Sequence, residues 1–114
     1  MDFDTWTVIT LVLRDDAPVL DDDAAGALQD AHLDHLANLH EQGHLLAAGP
    51  LDDATLRGLM IMPVDPRRAL ELESADPAVV AGRLQPRAMV WHVPGGAVHF
   101  TPTSFPHSRV DVAT

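Results

Sequence analysis

With 114 residues, 46% of them hydrophobic, the chain has room for one domain and enough apolar content to bury a core, so wholesale disorder is excluded. Seventeen acids against seven basic residues, all arginine, give a formal charge of −10, and residues 1–56 hold only Arg14 among the cations. No basic patch able to neutralise several phosphates can be assembled from this, so neither nucleic acid nor a membrane surface is an expected partner. Cysteine is absent, which removes disulfides, thiolate nucleophiles and cysteine-based zinc sites.

The opening Met1-Asp2-Phe3-Asp4 lacks the positive n-region of a signal peptide, and the longest apolar run, Trp6 to Leu13, is too short to span a membrane. The expected compartment is the cytoplasm. That run is rich in β-branched residues and reads as a first strand. Asp21-Asp22-Asp23 then offers a cap and favourable negative charge to a helix over 24–42, which Gly43 closes. Leu45-Leu46-Ala47-Ala48, stopped by Gly49-Pro50, reads as a second strand, and Leu56 to Met62 as a third.

Asp65-Pro66 opens a second helix to about Ser74, and Asp76-Pro77 repeats the device for a single turn ended by Gly82. Leu84 to Val93 is the last strand, with Met89, Trp91 and Val93 on one face. After the turn at Pro94-Gly95-Gly96, residues 97–101 are a candidate hairpin partner and the remainder has weak structure of its own. The domain is therefore placed at residues 1–94, with an extension over 95–114. The order β-α-β-β-α-β is the split βαβ pattern of ferredoxin-like α+β folds, an antiparallel sheet with its helices on one face. The other, apolar face needs a cover, and a second copy of the chain is the simplest one.

Four of seven histidines, His32, His35, His40 and His44, fall in or just after the first helix. At 100° per residue, Ala25, Leu28, Leu36 and Leu39 all lie within about 40° of His32, so this imidazole sits mid-stripe and faces the core. Its ring nitrogens need partners there, from the protein or from a ligand, and phase alone leaves both open. His40-Glu41-Gln42-Gly43-His44 has the form of the zincin helix motif, but Gly43 marks a helix end and no third ligand is evident. Solvated histidines at a helix C-terminus fit as well, so no metal is expected. Asp76 before Pro77 is a cap in its own right. No cofactor motif appears, and the serines lie in no nucleophile-elbow context.

Ala31-His32-Leu33-Asp34-His35-Leu36, then Gly43-His44-Leu45-Leu46-Ala47-Ala48-Gly49-Pro50, resembles the YciI-like (YCII-related) family, which shows A-H-L-x-x-L and G-x-L-L-x-A-G-P at this spacing. Glu73-Ser74-Ala75-Asp76-Pro77, followed by Ala81-Gly82, is similar to the family's A-D-P and A-G pair. The resemblance covers roughly Trp6 to Val93. It implies a ferredoxin-like fold that dimerises through its sheets, in the manner of dimeric α/β-barrel enzymes, and a site built on a helix histidine and the aspartate of D-P, here His32 and Asp76. One branch of the family acts as a dehydrochlorinase on a chlorinated hydroxyhydroquinone. This chain departs from the pattern at Gln29-Asp30, where many relatives carry Arg-Pro, and at Ala78, where many carry an aromatic residue.

Two functions follow as expectations. The first is cofactor-independent proton transfer, an isomerase or lyase acting on a small cyclic or phenolic compound. His32 would be general acid or base and Asp76 its orienting carboxylate. The substrate pocket is expected from Leu36, Leu46, Gly49, Pro50, Met60 and Trp91. The alternative is a non-catalytic dimeric module for a ligand or a protein, in which His32 and Asp76 merely tie helix to turn.

Overall fold

The computed structural model describes residues 1–113, which form β1 (Phe3–Leu13), α1 (Asp22–Glu41), β2 (Ala47–Pro50), β3 (Leu56–Met62), α2 (Pro66–Glu73), α3 (Pro77–Val80), β4 (Leu84–Pro94) and α4 (Arg109–Ala113). The four strands make one antiparallel sheet in the order β2-β3-β1-β4, the ferredoxin-like arrangement read from the sequence. Helix starts follow the aspartates. Asp21 accepts from the Ala24 amide at 2.7 Å and Asp65 from the Arg68 amide at 2.8 Å, with Pro66 at the first helical position. α1 ends in a Schellman motif: the Gly43 amide donates to His40 O and the His44 amide to Leu39 O, with Gly43 at φ +82°.

Strand alternation fixes the two faces. Ile9, Leu11, Met60, Met62 and Leu84 point toward the helices and meet Leu36, Leu39, Ala69 and Ala78 in the core. The apolar stripe of α1 is divided. From Leu36 onward it is packed on the sheet, whereas Ala25, Leu28 and His32 stand over a cavity between helix and sheet. On the opposite face Trp91 is the register partner of Trp6, and Met89 that of Val8. Met89 and Trp91 remain 46% and 37% exposed, but Val93 is buried.

Two local expectations are corrected. β2 begins at Ala47, because Leu45 drops into the core and Leu46 is still entering the ladder, its amide donating to Ile61 O. Residues 97–101 form no strand, so the expected hairpin return is absent. Instead Phe100 meets the Trp6 ring edge-on at 5.0 Å between centroids, which covers part of the outer sheet face. The chain then turns back along α1. Thr103 O takes a hydrogen bond from His40, Phe105 stacks on the His40 ring at 4.0 Å, and His107 bridges Asp34 and Glu41 at 2.7 Å each. Arg109 opens α4 with its amide and its guanidinium on Asp30. Thr114, the last residue of the expected extension, lies outside the described residues. Among the described residues no helix is long and apolar enough to cross a membrane.

Candidate active site

His32 projects from the middle of α1, and Asp76 caps α3, whose first turn packs beneath it. The sequence separation of 44 residues closes to 2.6 Å between His32 Nδ1 and Asp76 Oδ2. Asp76 is fully buried, and its second oxygen accepts from the Ala78 amide at 2.9 Å. Cap and imidazole acceptor are thus one carboxylate. Burial alone would raise the Asp76 carboxyl, but hydrogen bonds from His32, Glu73 and the Ala78 amide outweigh it and hold it below its ordinary value.

Two residues outside the expected catalytic pair, Glu73 and His35, join it. Glu73 closes α2 and is also fully buried; its Oε1 accepts from His35 Nε2 at 3.0 Å. Its Oε2 accepts from no N–H or O–H. Burial, and then the neighbouring Asp76 carboxylate, push the Glu73 carboxyl up to about 10, so at neutral pH it is an acid that donates to Asp76. His35 is lowered, first by burial, which leaves it neutral with Nε2–H toward Glu73. The cluster therefore reads His35→Glu73→Asp76←His32 in donor direction, with the carboxylate charge on Asp76. The signal was present in spacing: His35 is one turn beyond His32, and Glu73 stands three residues before Asp76. His35, Glu73 and Asp76 also bring ligand-type atoms within 4.8 Å of one another. Both Asp76 oxygens and Glu73 Oε1 are already engaged there by N–H groups, an arrangement better suited to sharing protons than to holding a cation.

On its other side His32 lines a cavity of about 610 Å³. Its Nε2 has no hydrogen-bond partner among the described residues and is not sealed from solvent. Of the residues expected around the substrate, Leu36, Gly49, Pro50 and Met60 border this space. Leu46 does not, because the later start of β2 hands that role to Ala48. Trp91 does not either, since strand alternation puts it on the outer face with Trp6. Residues beyond the expected domain complete the wall: Phe105, Pro106 and Val112 from the returning tail. His40 is unsuited to a zincin role, because both of its ring nitrogens are committed to the carbonyls of Leu45 and Thr103.

Among solved structures the chain is similar to the 5-chloro-2-hydroxyhydroquinone dehydrochlorinase of Burkholderia phenoliruptrix AC1100, solved in complex with 2,5-dihydroxybenzoquinone. The TM-score is 0.56 at 18% identity, over 80% of this chain and 95% of that one, a likeness of fold. No curated protein matches significantly. The model of the YCII-related domain family matches residues 8–90, from within β1 to within β4. That span takes in α1 with His32 and the α2–α3 junction with Glu73 and Asp76, and the chain belongs to the YCII-related domain family.

Proposed function

We propose that this protein is a cofactor-independent enzyme, a lyase or isomerase, that moves protons on a small cyclic or phenolic compound. The observation that carries the reading is the state of His32: Nδ1 held at 2.6 Å by a buried carboxylate, Nε2 unpartnered at an apolar cavity. An ionised Asp76 takes Nδ1–H, which fixes the neutral ring in the tautomer whose lone pair is on Nε2. That nitrogen accepts a proton from the substrate. In an elimination the electron pair left behind forms a double bond and expels a leaving group such as halide from the adjacent carbon. In an isomerisation the imidazolium returns the proton at another carbon. Asp76 stabilises the imidazolium in between, and protonated Glu73 keeps Asp76 aimed. The similar dehydrochlorinase supports the elimination variant, through its fold and the substrate in its name.

The reading includes a cytoplasmic setting and a homodimer joined through the outer sheet face at Met89 and Trp91. A module in which His32 only ties helix to turn has no use for an open Nε2, which favours the enzyme. The test is turnover of a panel of chlorinated hydroxyhydroquinones, phenols and lactones by chloride release and absorbance. The wild type should turn over at least one member. His32→Gln should abolish that turnover. Asp76→Asn keeps the cap oxygen but no longer fixes Nδ1–H, and should lower kcat by on the order of 10³-fold. An inert wild type, or an active His32→Gln variant, contradicts the proposal.

A further inference from the structure

The lining of the cavity inverts the charge of the chain. The molecule carries seventeen acids and seven arginines, yet among the described residues no acid borders the cavity, while Arg57, Arg83 and Arg109 do. Their states differ. Arg109 is neutralised by Asp30, with its Nε 3.0 Å and its Nη2 3.3 Å from the carboxylate. Arg57 gives one hydrogen bond to a backbone carbonyl, Asp53 O, and after backbone amides its charge helps to hold down the nearby Asp53 carboxyl, but it forms no direct ion pair among the described residues. Arg83 is partly buried, and its guanidinium has neither hydrogen bond nor ion pair among the described residues.

Its backbone is nevertheless held firmly. The Gly82 amide donates to Val79 O and the Arg83 amide to Ala78 O, a Schellman closure of α3, and the Arg14 amide donates to Arg83 O. The same short helix begins at the Asp76 cap, so Arg83 and the partner of His32 are fixed to one rigid turn. Arg57 comes from the other side of β1: Leu56 is the register partner of Val12, and Leu84 that of Leu13. Both residues therefore belong to the same end of the sheet.

We propose that Arg83, assisted by Arg57, makes this cavity a site for a ring-sized organic anion. Its charge would sit on a planar oxyanion, a carboxylate or an equivalent enolate, with the ring against the apolar wall and within reach of His32. The inference rests on the reading of the His32 cavity as a ligand site and narrows the substrate to an anion. The volume suits one ring with substituents. A planar fork pairs with a planar oxyanion through two parallel N–H···O bonds, which a neutral amide cannot reproduce. The overall negative charge does not forbid entry, because exposed charges more than about 8 Å away are largely screened at physiological salt.

The experiment is calorimetric titration of 2,5-dihydroxybenzoate and 2,5-dihydroxybenzamide, which share a ring and differ in charge. Wild-type protein should bind the benzoate at least about tenfold more tightly, and this preference should shrink as salt is raised. Arg83→Gln should bring the benzoate down to the level of the benzamide and leave the benzamide within about twofold of wild type. Arg83→Lys, which keeps the charge without the fork, should retain an intermediate preference. His32→Gln should keep the preference intact. Equal affinities in the wild type, no benzoate binding at millimolar concentration, or an undiminished preference in Arg83→Gln overturns the proposal. If no compound is turned over while the Arg83-dependent preference persists, the enzymatic reading falls and the anion site stands.

Discussion

At the residue scale the cluster is governed by where one proton sits. Glu73 is fully buried and pushed up to about 10, so folding retains a proton that the unfolded chain gives up near 4.5. The stability this group contributes is therefore complete below pH 4.5 and lost progressively as pH climbs toward 10, at about 1.4 kcal/mol per pH unit between the two values. Glu73→Gln keeps an acceptor for His35 and a donor for Asp76 without a proton to lose. It should match the wild type near pH 4.5 and exceed it by several kcal/mol at pH 8, read from urea unfolding at the two pH values. A variant less stable than wild type at pH 8 would show Glu73 to be ionised in the folded state. His32 and Asp76 were legible in the sequence, one from helical phase and both from the motif resemblance. Glu73 was not, because in a helical window it reads as another polar residue, and only the turn at Ser74-Ala75 brings it against Asp76.

At the element scale the returning tail closes one wall of the cavity, and its hold on α1 is specific. Gly26 is buried beneath Arg109: a Cβ at that position would lie 2.4 Å from Arg109 Nη1, and the guanidinium is pinned to Asp30. Gly26→Ala should strengthen α1 by up to about 1 kcal/mol of helix propensity yet displace α4. Hydrogen exchange should show faster exchange at residues 109–113 and unchanged or slower exchange in α1; full protection of α4 would rule out the packing described. The His107 contacts add a pH dependence. Hydrogen bonds to Asp34 and then to Glu41 raise His107, so its hold is complete below pH 6.5 and lost as pH passes the raised value. Cross-peaks between the His40 and Phe105 rings should be strong at pH 6 and weaken toward pH 9. Most elements could be read because aspartate caps, prolines and glycines punctuate them. The tail could not, because its order comes from His107 and Arg109 meeting acids 66 to 79 residues earlier, and no local pattern encodes that.

At the scale of the whole molecule the sheet divides two tasks. One face, under the helices, holds the core and the His32 cavity; the other leaves Met89 and Trp91 exposed beside the Trp6–Phe100 contact. Strand alternation made that division legible, and it is also why Trp91 belongs to the outer face rather than to the cavity wall. If the outer face joins two copies, sedimentation equilibrium at micromolar concentration should give twice the chain mass of 12.3 kDa, and Trp91→Asp should shift the protein toward monomer. A wild-type protein that stays monomeric contradicts the dimer without touching the His32 site. The central claim, that Asp76 fixes His32 with its lone pair on Nε2 at the cavity, is tested most directly by the ring ¹⁵N shifts of His32. In the neutral ring the account predicts a protonated Nδ1 and a bare Nε2, inverted in Asp76→Asn. A wild-type ring protonated on Nε2 with a bare Nδ1 would contradict it.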